Sequence, residues 1–135
     1  MLSPEVEMNH IELSAPTSAL AQHLLVLAST VKETQFQAHL IHFNYEGANF
    51  FSVHQFLKEE YDELLEEFDS IGEYVRSLDY MMPMCACGLK DMMHKSFKNV
   101  SSYDGREMLA TYLMNLELIC EIATCIEEKA AELKA

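Results

Sequence analysis

Apolar residues recur along this chain at steps of three and four, in three long stretches separated by turn-forming residues. In the first, Leu20, Leu24, Leu27, Val31, Ala38 and His42 fall on or near one face at a 3.6-residue period. That pattern predicts a long amphipathic helix beginning near Pro16, with Ser14 as its cap. Gly47 then turns the chain, and Asn49 is placed to cap a second helix running to about Asp79. Its core stripe is Phe50, Val53, Leu57, Tyr61, Leu64, Phe68, Ile71, Val75 and Leu78. A second column on the same helix carries His54, Lys58, Asp62, Glu66, Asp69, Glu73 and Arg76. Such a column is ordinarily a solvated face, with Lys58 to Asp62 and Glu73 to Arg76 pairing for about a few tenths of a kcal/mol each.

After Pro83, the stretch from Met84 to Phe97 reads as a short helix flanked by loops, its methionines filling gaps in packing. Asp104 with Glu107 forms a capping box for a third long helix, whose stripe Leu109, Leu113, Leu116, Cys120, Ala123, Ala130 and Leu133 reaches the C-terminus.

Composition agrees with this reading. With 135 residues, half of them hydrophobic, and only four Gly and three Pro, the expectation is an all-α bundle in a single domain spanning 1–135. The first ~13 residues are expected to form a tail. Net charge −13, from 22 acidic against 9 basic residues, opposes counterion-releasing contacts with nucleic-acid phosphates or anionic lipid and favours cations as partners. Met1 to Leu13 holds no Lys or Arg, unlike a secretion signal or transit peptide, and no apolar run is expected to reach the roughly 18 residues that span a membrane. A cytoplasmic location without membrane attachment is the expectation. Cys85, Cys87, Cys120 and Cys125 match neither zinc-finger doublets nor a thioredoxin-like motif. Cys85 and Cys87 are either a soft-metal or redox pair or ordinary small residues.

Candidate chemistry concentrates at His42 to His54. A lone His ending an apolar stripe is ordinarily a core residue with one hydrogen bond, but here a second His follows across a chain reversal. The two imidazoles can converge. His54 and Asp69 lie fifteen residues apart on one helix, which separates them by roughly 22 Å and prevents them from sharing an ion within one chain. Asp69 and Glu73, four residues apart, point the same way, so an antiparallel helix of a second copy would bring them opposite His42 and His54. Two imidazoles with two carboxylates suit a borderline metal such as iron(II).

These residues resemble the Dps-type mini-ferritins, also called DNA-binding proteins from starved cells. The family's hallmark, HW(N)xxGxxFxxLHxxxD followed by DxxAER, is matched by His42-Phe43-Asn44, Gly47, Phe50 and Val53-His54, then Asp69-Ser70-Ile71-Gly72-Glu73. The likeness is specific over Gln37 to Leu78. It implies a ferritin-like bundle of long antiparallel helices with a short helix between the second and third. It also implies a ferroxidase-type site of His42 and His54 from one subunit and Asp69 and Glu73 from a two-fold mate. Such a site would oxidise iron(II) to iron(III), commonly with hydrogen peroxide, and store ferric mineral in a hollow dodecamer that limits oxidative stress.

This chain departs from that pattern in three places. The family's Asp four residues after the second His is Lys58, and neither Asp62 nor Glu59 occupies the same helical position. The usual Trp is Phe43, leaving Tyr45 or Tyr61 as the oxidisable aromatic beside the site. The family's fourth long helix finds no counterpart in this sequence, and the expectation is either that the sequence is a truncated product or that a partner subunit covers the apolar seam so left. Direct DNA binding finds no support in an acidic N-terminal segment. Two other readings stand beside iron oxidation: a non-catalytic ferritin-like structural or storage subunit, and a helical protein-interaction module whose histidines are core residues.

Overall fold

A computed structural model describes residues 15–134 of the chain. The segment expected to form a tail, and the Ser14 cap with it, lie outside the described residues. Four helices follow one another: α1 (Ala15–Asn44), α2 (Phe50–Ser77), α3 (Ala86–Lys90) and α4 (Gly105–Lys134). All-α architecture with a short helix between the second and third long ones is as expected.

α1 sits at the centre and packs against each of the other three. Between Leu24 and Val31 every residue is buried, so this helix has no solvent face there, contrary to the single apolar stripe expected. A stretch reading LLVLASTV is apolar or small all round, and such a helix is stable only when covered on all sides. Its two fully buried threonines satisfy themselves within the helix, Thr30 donating to the Val26 carbonyl at 2.8 Å and Thr34 to the Thr30 carbonyl at 2.7 Å.

α2 runs antiparallel to α1 across a tight turn at residues 45–49. Gly47 adopts φ +155, a conformation side chains rarely take, and the Phe50 N–H closes the turn on its carbonyl at 3.1 Å. Asn49 holds the capping position but does not cap: its Oδ1 accepts the Tyr45 hydroxyl at 2.7 Å instead. The stripe expected for α2 is the one buried or half-buried, with Leu57, Leu64, Ile71 and Val75 fully inside. Beyond Ser77 the helix ends where Asp79 takes φ 68. Arg76 does not pair with Glu73; it donates to the Tyr80 carbonyl at 2.7 Å.

α4 also lies antiparallel to α1, since Gly105 abuts Tyr45 while Asn115 meets Gln37. A Cβ at Gly105 would stand 2.6 Å from the Tyr45 ring, so only glycine fits. Asp104 caps the Glu107 N–H at 3.1 Å, and Glu107 reaches back to the Ser102 hydroxyl at 2.9 Å. The buried face of α4 is Met108, Tyr112, Asn115, Leu118, Ile122 and Ile126, rotated from the stripe expected. Leu113 and Leu133 are about half exposed and Cys120 is exposed. Both faces of this helix are apolar, so periodicity could not choose between them. The residues 105–133 are accordingly long and apolar enough to cross a membrane, against the expectation that no such run existed. In this fold one face of that run packs on α1.

Asn115 decides which face packs. It donates to Gln37 at 2.9 Å and to the Lys98 carbonyl at 2.8 Å, and accepts the Lys98 N–H at 2.9 Å. Gln37 donates to the same carbonyl at 2.9 Å. α1, α4 and the loop between α3 and α4 are thus tied by one satisfied polar network. Asn115→Ala orphans several of these groups and should cost about 2–3 kcal/mol in urea unfolding, with the slope unchanged. Leu113→Ala, on the exposed face, should cost under about 1 kcal/mol. Equal effects at the two positions would show that the network does not choose the face.

Candidate metal centre

The end of α1 and the first turns of α2 bring His42 and His54 into a parallel stack, ring centroids 3.5 Å apart with 20° between planes. Their hydrogen bonds are reciprocal. His42 Nδ1 lies 2.8 Å from the His54 carbonyl, and His54 Nδ1 lies 2.9 Å from the His42 carbonyl. A carbonyl only accepts, so both Nδ1 atoms carry the proton and both Nε2 atoms keep a lone pair in the neutral ring. Holding Nδ1–H on a carbonyl in this way fixes the ring's orientation and leaves Nε2 as the atom that can take a metal.

Aromatic rings surround the pair. Phe50 stacks on His54 at 4.8 Å, and Tyr61 meets His42 edge-on at 5.4 Å. A third imidazole, His39, stacks between Tyr61 at 4.1 Å and Phe43 at 4.9 Å, with its centroid 6.0 Å from that of His42. Sequence reasoning passed over His39, although its place three residues before His42 puts it on the same side of the helix. Of the two tyrosines expected near the site, Tyr61 is there; Tyr45 is buried at the turn, packed on Gly105.

Asp69 and Glu73 are exposed and lie farther along the unbroken α2, roughly 22 Å and roughly 28 Å from His54 by helical rise. They make no ion pair among the described residues. Both line an open cavity of about 510 Å³ with Lys32, Met82 and Cys85. Among the described residues no three His, Cys, Asp or Glu side chains of one chain form a metal-sized group. The four residues singled out therefore fall into two halves, His42 of α1 with His54 of α2 at one end and Asp69 with Glu73 farther along α2.

Lys58 lies between the halves, fully paired. Its ammonium donates to Asp62 at 3.0 Å, and both side chains are more than half exposed. Hydrogen bonding to Asp62, and then its charge, hold the ammonium above the usual lysine value, so it stays protonated. Farther round α2, burial and then repulsion from Glu63 and Glu60 raise the Glu67 carboxyl above the ordinary range. The Tyr112 hydroxyl donates to Glu60 at 2.7 Å, and burial followed by that bond raises the phenol. α2 is thus strongly acidic along two sides.

A model of the ferritin-like domain matches residues 31–132, and the chain belongs to the ferritin-like family. Its fold is of Dps type. It is similar to a Dps protein from Vibrio cholerae O1, described as a member of a broad superfamily of ferritin-like diiron-carboxylate proteins. That likeness has TM-score 0.79 and 22% identity over 87% of this chain and 73% of the other. DpsC from Streptomyces coelicolor is similar with TM-score 0.75 and 19% identity, over 90% and 73% of the two chains. Comparison with curated protein sequences gives no significant match.

The clamp has a direct spectroscopic signature. In nitrogen NMR at pH above the imidazole range, both His42 and His54 should appear as the Nδ1–H tautomer, the minor form for free histidine. An Nε2–H signature at either ring would break the reciprocal arrangement.

Proposed function

We propose that this protein binds iron(II) as its substrate and oxidises it at sites shared between two copies of the chain, storing the ferric product in a closed homo-oligomer. The observation that carries this reading is the reciprocal clamp, in which the Nδ1 atoms of both imidazoles are engaged by backbone carbonyls, leaving the Nε2 atoms as the donors of two stacked rings. His42 and His54 of one copy supply nitrogen donors. Asp69 and Glu73 of a two-fold mate supply oxygen donors, and this mixture suits a borderline cation such as iron(II). Membership of the ferritin-like family and likeness to proteins described as Dps support the class of chemistry.

With hydrogen peroxide as oxidant, two iron(II) ions each give one electron, and peroxide takes up two protons to leave as two waters. Tyr61, 5.4 Å from His42, is the oxidisable ring nearest the imidazole pair. Phe43 and Phe51, 66% and 85% exposed, flank that pair and suit an apolar rim covered by the second copy.

A shared site predicts complementation. His42→Ala with His54→Ala in one variant, and Asp69→Ala with Glu73→Ala in another, should each abolish peroxide-dependent iron oxidation. When the two are dissociated, mixed and reassembled, half the dimers are mixed and each holds one intact site, so roughly a quarter of the activity should return. No recovery from a mixture that does form mixed dimers rules out the shared site.

Lys58 favours a second reading, a ferritin-like subunit that assembles and stores without oxidising, because an ammonium stands where the resemblance implies a carboxylate. Lys58→Asp should raise iron(II) affinity and oxidation rate about two- to fivefold, a modest gain because the lysine is exposed and already paired. Oxidation found only in Lys58→Asp would select the second reading, and equal rates would make Lys58 a surface residue.

A further inference from the structure

We propose that Cys85 and Cys87 form a redox-active dithiol that closes to an intrachain disulfide when it meets hydrogen peroxide. The two thiols stand at the start of α3, both exposed, with their sulfurs hydrogen-bonded at 2.8 Å. A disulfide bond is about 2.05 Å long, so closure asks the sulfurs to approach by about 0.8 Å. A shared metal fits this geometry poorly. Two thiolates on one tetrahedral zinc stand about 3.8 Å apart, given bonds of about 2.3 Å, and no third His, Cys, Asp or Glu completes a set among the described residues.

The surroundings assign different roles to the two sulfurs. The two sulfurs share one hydrogen bond, and Cys85 also accepts the Gly88 N–H at 3.2 Å; its bond to Cys87, then that to Gly88, hold it below the ordinary thiol value. Cys87 is raised, by its bond to Cys85 and then by the charge of Cys85. Cys85 is therefore the thiolate that attacks. Its sulfur takes one peroxide oxygen, breaking the O–O bond and forming a sulfenic acid while hydroxide leaves. Cys87 then loses its proton and attacks that sulfur, forming the S–S bond and expelling the second oxygen as water once protonated. In sum two thiols and one peroxide give one disulfide and two waters.

The test uses the full chain with Cys120→Ser and Cys125→Ser, reduced and held in a metal chelator so that iron chemistry plays no part. One equivalent of peroxide should remove two hydrogen masses in intact mass spectrometry and both free thiols, with full reversal by dithiothreitol. In the same background Cys87→Ser should accumulate a sulfenic acid at residue 85 that dimedone traps. Cys85→Ser should react about tenfold more slowly, in line with its smaller thiolate fraction. Gain of oxygen without loss of hydrogen, disulfide-linked pairs of chains, or equal rates in the two single variants would each overturn the proposal.

Discussion

A helix that is apolar on every side has to be covered on every side, and α1 between Leu24 and Val31 imposes that condition on the rest of the chain. α2 and α4 both run antiparallel to it, α3 and its loops close another flank, and α2 and α4 meet only through long side chains such as Tyr112 on Glu60. This arrangement fixes the site. With α2 held along α1 by Leu57, Leu64, Ile71 and Val75, the last turn of α1 and the first turns of α2 cannot separate without exposing core. Each of those leucines contributes about 1.5–3 kcal/mol when fully buried. The backbone carbonyls that clamp the two imidazoles are therefore held by packing elsewhere.

What was legible in the sequence follows from which signals were unambiguous. α2 has one apolar and one charged face, and its stripe from Phe50 to Leu78 was readable residue by residue. α4 was not, because Leu109, Leu113 and Leu116 are as apolar as Met108, Leu118 and Ile122. The choice between those faces rests on Asn115 and Tyr112, whose polar atoms find partners in only one orientation. Asn49 fits a helix cap by residue type, yet the hydroxyl of Tyr45 claims its side chain. Local propensity lost there to a contact made across the turn.

The site shows the same division. Spacing alone placed His42 and His54 on either side of a reversal and separated them from Asp69 and Glu73, because helical rise is a fixed quantity. Spacing could not show that each imidazole bonds to the other's carbonyl, since that depends on ring rotation. The acidic character of α2 was plain from composition, but Glu73 with Arg76 illustrates its limit. The guanidinium finds the Tyr80 carbonyl just past the end of its own helix and leaves the carboxylate without an ion pair among the described residues.

That unpaired carboxylate bears on why a site would be divided between copies. Two carboxylates gathered beside two imidazoles within one chain would repel each other and any anionic neighbour in the unloaded protein, on a helix where burial and repulsion already raise Glu67. Placed about four and five turns away, Asp69 and Glu73 remain solvated and cost the folded chain little. In the proposed arrangement they meet the imidazoles only when two copies associate, so assembly and formation of the site become one event. The reciprocal clamp then has a specific role. It holds both rings in one orientation before any cation arrives, so the donors need no reorganisation when the carboxylates of the second copy close over them.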